Sequence, residues 1–271
     1  MQVGTPLGTG LQGLDRLLRG LIPGDNVVWR VEDIDDYRAF VEPYCRYAVE
    51  HDRQLIHLRF SGHDSVVPED LPAERHTFDP VEGFEPFITA IHRTIEQSER
   101  RAYYVFDCLS DLAHAWFSDE MLCNFFMLTC PYLYDRGDLA YFALLRSRHS
   151  HAATMPIHDT AQVFIDVYHH RDKIYVRPLK TQQRYSPSMH MLHVWEEDHL
   201  DPVSESYIIS EILAPASSVS FGEGGAPTDV WNRTFLEARE ALKCPGCQPD
   251  RRLFERLLRM VVSRDEPVLR L

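Results

Sequence analysis

The segment GLIPGDNVVWRVEDIDDYRAF, residues 20–40, decides the fold of this chain. Residues 27–31 form a short apolar run rich in β-branched side chains, which is typical of a strand. From Ala39 onward, apolar side chains recur at the spacing of one helical face. The segment therefore predicts a strand, a turn and a helix, the first unit of an α/β domain.

A second element, Thr9-Gly10-Leu11-Gln12-Gly13-Leu14-Asp15, precedes this segment. Together, the two stretches resemble the N-terminal part of the KaiC/RecA family of P-loop ATPases, in which Thr-Gly-x-x-Gly-Leu-Asp precedes Gly-Leu-Pro-x-Gly, a strand and the phosphate loop. The resemblance extends over roughly residues 8–185 and depends on motif order. It implies a RecA-like, mostly parallel sheet flanked by helices, followed by a C-terminal β-hairpin and a helical tail.

The phosphate loop of that family, Gly-x-x-x-x-Gly-Lys-Thr, is missing here. Counted from Gly24 without a gap, its last two positions fall on Tyr37 and Arg38. A phosphate loop needs glycines, a lysine and a hydroxyl for Mg²⁺. This turn carries four carboxylates instead, those of Glu32, Asp33, Asp35 and Asp36. One carboxylate facing a phosphate at about 4 Å costs roughly 4 kcal/mol, so we predict no tight triphosphate binding in the usual pose.

The four carboxylates have two interpretations. Asp and Glu in the first helical turn suit the positive end of the helix dipole, which makes them a helix start. They could also form an acidic or metal site. The structural interpretation is favoured.

Two further positions bear on ATPase chemistry. The second predicted strand is followed by Ser61 and Gly62, where the resemblance places a pair of glutamates, one of which activates water. Neither residue can act as a general base. Asp107 ends the apolar run 103–107, which resembles the Walker B strand, and is the one nucleotide-site residue retained. Because Arg38 offers no hydroxyl for Mg²⁺, we expect Asp107 to cap the next turn or to pair with a neighbouring arginine.

Three cations are expected near the acidic turn. Arg146 and Arg148 follow the strand predicted at residues 139–145, at the end where α/β folds place ligands. They could contact an anion or neutralise the acidic turn, and the second interpretation is favoured. Lys180 matches the lysine of an element that reaches the next subunit's nucleotide in KaiC-like hexamers. We expect Arg146, Arg148 or Lys180 to hold the acidic turn in place of phosphate and Mg²⁺.

The composition of the chain limits the classes of partner that it can bind. The chain has 271 residues, with 28 Lys and Arg against 41 Asp and Glu, and this net charge of -13 argues against an extended nucleic-acid surface. Its apolar runs are too short for a membrane span, and its N-terminus lacks the pattern of a signal peptide. A cytoplasmic location is the resulting expectation.

The predicted domain organisation is a main domain at residues 1–215, a linker at 216–229 and a helical tail at 230–271. Between the two helices of the tail, Cys244 and Cys247 alone have the spacing of metal ligands. A zinc site needs four ligands, and no second pair lies nearby in the sequence, so no metal is predicted.

These observations predict a domain that has lost ATPase chemistry and acts as a regulatory or assembly module without a cofactor. Its partner would be another protein or a second copy of the chain. The main domain and the segment WNRTFLEA, residues 231–238, also resemble a region that precedes the catalytic domains of bacterial proteins related to phosphoenolpyruvate synthase and pyruvate phosphate dikinase. That resemblance implies attachment to a phosphoenolpyruvate-utilising phosphotransferase. The alternatives are a working ATPase that binds ATP and Mg²⁺ through a nonstandard loop, and a monomeric protein-interaction domain.

Overall fold

A computed structural model describes residues 7–146 and 148–213 of the chain. The predicted linker at 216–229 and helical tail at 230–271, with Cys244 and Cys247, lie outside the described residues. Over the described ranges, no helix combines the length and the apolar character needed to cross a membrane.

The strands of the described region form one sheet. In chain order they are β1 (Asn26–Val31), β2 (Leu55–Arg59), β3 (Glu74–Thr77), β4 (Tyr103–Cys108), β5 (Leu139–Leu145), β6 (Val163–His170), β7 (Lys173–Thr181), β8 (His193–Glu196) and β9 (His199–Pro202). Their order across the sheet is β3-β2-β4-β5-β1-β6-β7-β8-β9. The six strands from β3 to β6 in that order are parallel, and β7, β8 and β9 are added as antiparallel strands. The predicted α/β class with a mostly parallel sheet is confirmed.

Helices cover both faces of the sheet. They are α1 (Gln12–Leu18), α2 (Ile34–Glu50), α3 (Phe84–Gln97), α4 (Leu109–Trp116), α5 (Asp119–Arg136), α6 (His151–Thr160) and α7 (Ser206–Leu213), with a 3₁₀ turn at Pro80–Glu82. Helices α1 and α2 contribute to one hydrophobic core, and α3 to α6 contribute to the other. Because side chains alternate along a strand, β1 sends Trp29 into the first core and Val28 into the second.

The first core shows why the sequence of α2 folds against β1. Trp29 stacks on Phe40, with 4.2 Å between ring centroids, and Tyr44 stacks on Tyr141 at 3.8 Å. All four side chains are fully or almost fully buried. Such aromatic pairs contribute about 0.5–1.5 kcal/mol each beyond the burial of their area. The apolar face predicted from residue spacing is therefore the face that α2 buries.

The glycines of the element at residues 9–15 are required by close packing. Gly10 has a φ of +80°, and a Cβ placed there would lie 2.1 Å from the carbonyl oxygen of Pro43 in α2. A Cβ on Gly13 would lie 2.8 Å from the carbonyl oxygen of Asp198, between β8 and β9. The Asp15 carboxylate accepts a hydrogen bond of 2.9 Å from the Thr9 N–H, which closes the element on itself. This element therefore fastens α1 to α2 and to the last hairpin.

One strand differs from the sequence prediction. The proline-rich segment 66–83 predicts an irregular connection, yet β3 forms within it and pairs in parallel with β2. Its side chains are largely exposed and polar, because β3 is an edge strand held by backbone hydrogen bonds. An apolar periodicity, the signal used to predict strands, is absent from its sequence for that reason.

Candidate functional site

Two neighbouring clefts open where the parallel strands end. The acidic cleft, of about 430 Å³, lies at the carboxyl ends of β1, β2, β4 and β5, and its lining includes Glu32, Asp33, Ser61, Gly62, Asp111 and Arg148. The serine cleft, of about 370 Å³, shares Asp111, His114 and Arg148 with it and is also lined by Ser110, Asp119 and His149. Ligands of open α/β sheets bind at this edge, so the two clefts are the candidate site.

The junction of β1 and α2 has no room for a phosphate loop. Strand β1 ends at Val31 and α2 begins at Ile34, so only Glu32 and Asp33 connect them. The Asp33 carboxylate accepts a hydrogen bond of 2.9 Å from the Asp35 N–H, and the Asp36 carboxylate accepts one of 3.4 Å from the Asp33 N–H. The Asp33 side chain also accepts from the N–H of Asp36, and this contact forms a capping box with the one from the Asp36 carboxylate to the Asp33 N–H. The helix-start interpretation is confirmed for Asp33 and Asp36.

The capping carboxylate of Asp36 is largely buried. Burial raises its pKa above the usual range, and the nearby Asp33 and Asp35 carboxylates act in the same direction. The Asp33 N–H opposes that shift, because it hydrogen-bonds the ionised form. Three N–H groups at this helix start, those of Asp33, Asp35 and Asp36, are therefore engaged by the carboxylates of Asp33 and Asp36.

Neither Tyr37 nor Arg38 points toward the clefts. The resemblance places these two residues at the lysine and threonine positions of a phosphate loop. Tyr37 is fully buried, and its hydroxyl donates a hydrogen bond of 3.2 Å to the carbonyl of Phe106. The Arg38 guanidinium contacts the Asp35 carboxylate at 2.7 Å and donates to the carbonyl of Asp64 at 2.8 Å. Both side chains serve the packing and surface of α2.

Arg146 makes only a marginal contact with the acidic turn. Its Nε lies 3.9 Å from a Glu32 oxygen, whereas its Nη1 lies 3.4 Å from the Asp166 carboxylate and its guanidinium lies 4.0 Å from the centre of the Tyr168 ring. Asp166 also receives two hydrogen bonds of 2.6 Å from Arg30. Arg146 is therefore fastened mainly to β6, and it reaches the acidic turn through one ion pair of 3.9 Å with Glu32.

Lys180 lies at the opposite edge of the sheet. It pairs with Phe164 near the start of β6, because β7 runs antiparallel to that strand. Its Nζ donates to the carbonyls of His158 and Asp159, at 2.9 and 2.6 Å, at the end of α6. The expected contact between Lys180 and the acidic turn is wrong, since the direction of β7 carries this residue away from it.

Arg148 is the third expected cation. It is exposed and lines both clefts together with Asp111. Within residues 7–146 and 148–213, no hydrogen bond or ion pair engages its guanidinium. The capping box, and not the three expected cations, satisfies Asp33 and Asp36.

Asp107 is buried at the end of β4. Its carboxylate accepts hydrogen bonds of 3.0 and 3.1 Å from the N–H groups of Phe60 and Ser61, and one of 2.9 Å from His57 Nε2. Arg59 approaches only to 3.9 Å. Asp107 therefore binds the turn after β2, rather than the turn that follows it in sequence. Burial raises the pKa of Asp107, but these donors outweigh burial and hold that pKa below its usual value.

A further polar cluster was not singled out by sequence reasoning. His149 Nε2 lies 2.7 Å from Ser110 Oγ, and His149 Nδ1 lies 2.5 Å from Asp119 Oδ1. The Leu145 N–H donates a hydrogen bond of 2.9 Å to the same Ser110 oxygen. These residues come from three separate segments, so local periodicity carries no signal for their contact. The position of Ser110, just after a buried strand, was the one available hint.

Comparison with known proteins adds no relative. A scan against protein-family models found no match to this chain, and a search of curated proteins found none either. In the part of the chain that the structure describes, no group of three or more His, Cys, Asp or Glu side chains is arranged to hold a metal ion. The geometry of the two clefts is therefore the basis for the functional proposals.

The capping box predicts how the stability of the protein changes when Asp33 is replaced. Asp33→Ala removes the acceptor for the Asp35 N–H and should lower the free energy of unfolding by about 1 kcal/mol in urea titrations. Asp33→Asn is the matched control, because asparagine caps helices as well as aspartate and should leave stability nearly unchanged. Equal stability of the alanine variant and the parent would contradict a capping role.

We expect the contribution of Asp107 to stability to depend on pH. Because its folded-state pKa lies below the ordinary value of 3.8, ionised Asp107 stabilises the fold fully above about pH 5, and this contribution is lost as pH falls through the folded-state pKa. Asp107→Asn should lower the free energy of unfolding by roughly 3 kcal/mol at pH 7, and the difference from the parent should shrink in acid.

The control for Asp107 is Asp111→Asn. Asp111 is partly exposed and has only a 3.8 Å contact with His63, so its replacement should change stability by less than about 0.5 kcal/mol. A difference between Asp107→Asn and the parent that stays constant from pH 7 to pH 3 would contradict the assigned role of the carboxylate.

Proposed function

We propose that this chain is a RecA/KaiC-like domain that has lost ATPase chemistry and acts as a regulatory or assembly module. The observation that carries the proposal is the two-residue connection between β1 and α2. A phosphate loop presents a series of free backbone N–H groups to the phosphates. Here Glu32 and Asp33 replace that loop, and the capping box engages the N–H groups of Asp33 and Asp35.

The other positions required for hydrolysis support the same proposal. Tyr37 is buried where the resemblance places the lysine, so no cation extends from that position toward the cleft. Ser61 and Gly62 line the acidic cleft, and neither residue carries a carboxylate that could activate water. Asp107 is fully buried and satisfied by three hydrogen bonds, which leaves its carboxylate without an exposed face for a hydrated Mg²⁺.

The sheet supports the resemblance on which the proposal builds. Strand β1 lies in the interior, between β5 and β6, and its carboxyl end meets the ends of β4 and β5. This is where a phosphate loop after the first strand would face an aspartate at the end of β4. This strand order supports the resemblance, and the side chains of the protein occupy the place where a nucleotide would lie under that proposal.

Exposed apolar side chains support a protein partner. Phe117 is 92% exposed and adopts a φ of +53°, which a bulky residue rarely does. Tyr185 and Val81 are also mostly exposed. Aromatic residues of this kind are enriched at protein interfaces. We propose self-association as the first form of assembly. Attachment to a phosphoenolpyruvate-utilising phosphotransferase stays a prediction from the resemblance of the main domain and residues 231–238.

Nucleotide binding tests the loss of ATPase chemistry. Calorimetric titration with Mg-ATP should show no binding tighter than about 100 μM, which corresponds to roughly -5.5 kcal/mol.

The double variant Tyr37→Lys with Arg38→Thr should remain inactive, and should lose roughly 3 kcal/mol of stability or more because the lysine replaces a buried aromatic side chain. Arg38→Thr alone is the control for stability. Micromolar binding, or turnover by the double variant, would support the alternative of an ATPase with a nonstandard loop.

Light scattering coupled to size-exclusion chromatography tests assembly. We expect a dimer or larger species whose population rises with concentration and falls in Phe117→Asn. Asparagine tolerates the left-handed backbone at this position, so the variant removes apolar surface without adding strain. Val81→Asn is a second variant at an exposed apolar position. A monomer at every concentration would contradict self-association and favour a monomeric interaction domain.

A further inference from the structure

The serine cleft holds three side chains in the geometry that activates a nucleophile. Ser110 Oγ lies 2.7 Å from His149 Nε2, and His149 Nδ1 lies 2.5 Å from Asp119 Oδ1. All three residues line the same cleft of about 370 Å³. A serine beside a histidine that is itself oriented by a carboxylate is recognised by this geometry, whatever the order in the chain.

The fold places each member at the end of a regular element. Ser110 lies in the first turn of α4, directly after β4, and Asp119 is the first residue of α5. His149 lies in the connection from β5 to α6. These junctions meet at the carboxyl edge of the sheet, where a substrate can approach without entering the core.

The hydrogen bonds define a direction for the proton. An ionised carboxylate only accepts hydrogen bonds, so His149 Nδ1 carries the proton that faces Asp119. Nε2 of the neutral imidazole is then the acceptor for the Ser110 hydroxyl. The Leu145 N–H occupies one lone pair of Oγ, and the second lone pair remains for attack on carbon.

The surrounding protein restricts the orientation of the His149 side chain, and Arg148 places a positive charge at the cleft. The His149 side chain is only 3% exposed, and that of Asp119 is 35% exposed, so the imidazole is held in place by the protein. Arg148 is exposed beside them and lines the same cleft. A guanidinium at this position can stabilise the negative charge that develops when a carbonyl carbon becomes tetrahedral.

We propose that Ser110, His149 and Asp119 form a hydrolytic site for small carboxylic esters. Ser110 Oγ bonds to the ester carbonyl carbon while its proton passes to His149 Nε2. The tetrahedral intermediate collapses, the bond from carbon to the alcohol oxygen breaks, and Nε2 returns the proton to the leaving alcohol. Water then bonds to the acyl carbon of the acyl-serine and gives one proton to Nε2. The bond from that carbon to Ser110 Oγ breaks, Nε2 returns the proton to Oγ, and a carboxylic acid is released.

The same contacts have a structural alternative. The Ser110 oxygen satisfies the last N–H of β5, and Asp119 accepts from the N–H of Ser150 at 3.4 Å, so the cluster also fastens the connection after β5. A purely structural cluster would contain an unreactive serine. Chemical reactivity of Ser110 is therefore the property that separates the two roles.

A fluorophosphonate probe tests the proposal on the full-length chain. Mass spectrometry should find one adduct per folded chain, mapped to Ser110, and none in urea-unfolded protein. His149→Gln should abolish labelling, and Asp119→Asn should slow it by roughly tenfold or more. Ser61→Ala is the matched control, because Ser61 lines the acidic cleft and should not affect labelling.

Ester turnover gives a second readout. The parent should hydrolyse p-nitrophenyl acetate with a burst of nitrophenol, and Ser110→Ala should remove the burst. Mapping on the unmodified chain needs no variant, so a poorly folded Ser110→Ala does not affect the conclusion. Labelling no faster than in unfolded protein, or labelling that survives His149→Gln, would overturn the proposal. Neither outcome depends on Mg-ATP binding. A failed labelling experiment would therefore overturn the hydrolytic site without affecting the proposal that ATPase chemistry is lost.

Discussion

The capping box at the start of α2 is the interaction on which the rest of the site depends. With only Glu32 and Asp33 between β1 and α2, the helix must begin immediately, and the carboxylates of Asp33 and Asp36 satisfy its first N–H groups. An early helix start also fixes which side chains face the sheet. Tyr37 is thereby buried against β4, where a helix begun later by a glycine-rich loop would present a different residue.

Self-contained polar pairing extends across the carboxyl edge. The Asp107 carboxylate binds His57 and the N–H groups that end β2, and Asp166 binds Arg30 and Arg146. A buried carboxylate that lost its donors would cost several kcal/mol, so these pairings keep the strand ends at fixed positions. The buried carboxylates of Asp107 and Asp166 are thus satisfied by donors of the protein, whereas Arg148 in the clefts has no partner among the described residues.

Much of the fold could be predicted from the sequence. The apolar alternation of β1 and the helical spacing of α2 report burial on one face, and burial is what the structure shows for Trp29 and Phe40. The acidic helix start was predictable because capping is a local effect. The position of Lys180 was not, because it depends on the direction of β7. The contact of Ser110 with His149 joins residues 39 positions apart, which no local pattern encodes.

Asp107 and the serine cleft are linked through β4. Asp107 and Ser110 lie on either side of the point where β4 ends and α4 begins. The bonds from Asp107 to Phe60 and Ser61 tie the end of β4 to the end of β2 and fix where α4 starts. The Leu145 N–H then ties Ser110 to the end of β5. Asp107 thus helps to position Ser110, because its hydrogen bonds hold the strand end from which α4 begins.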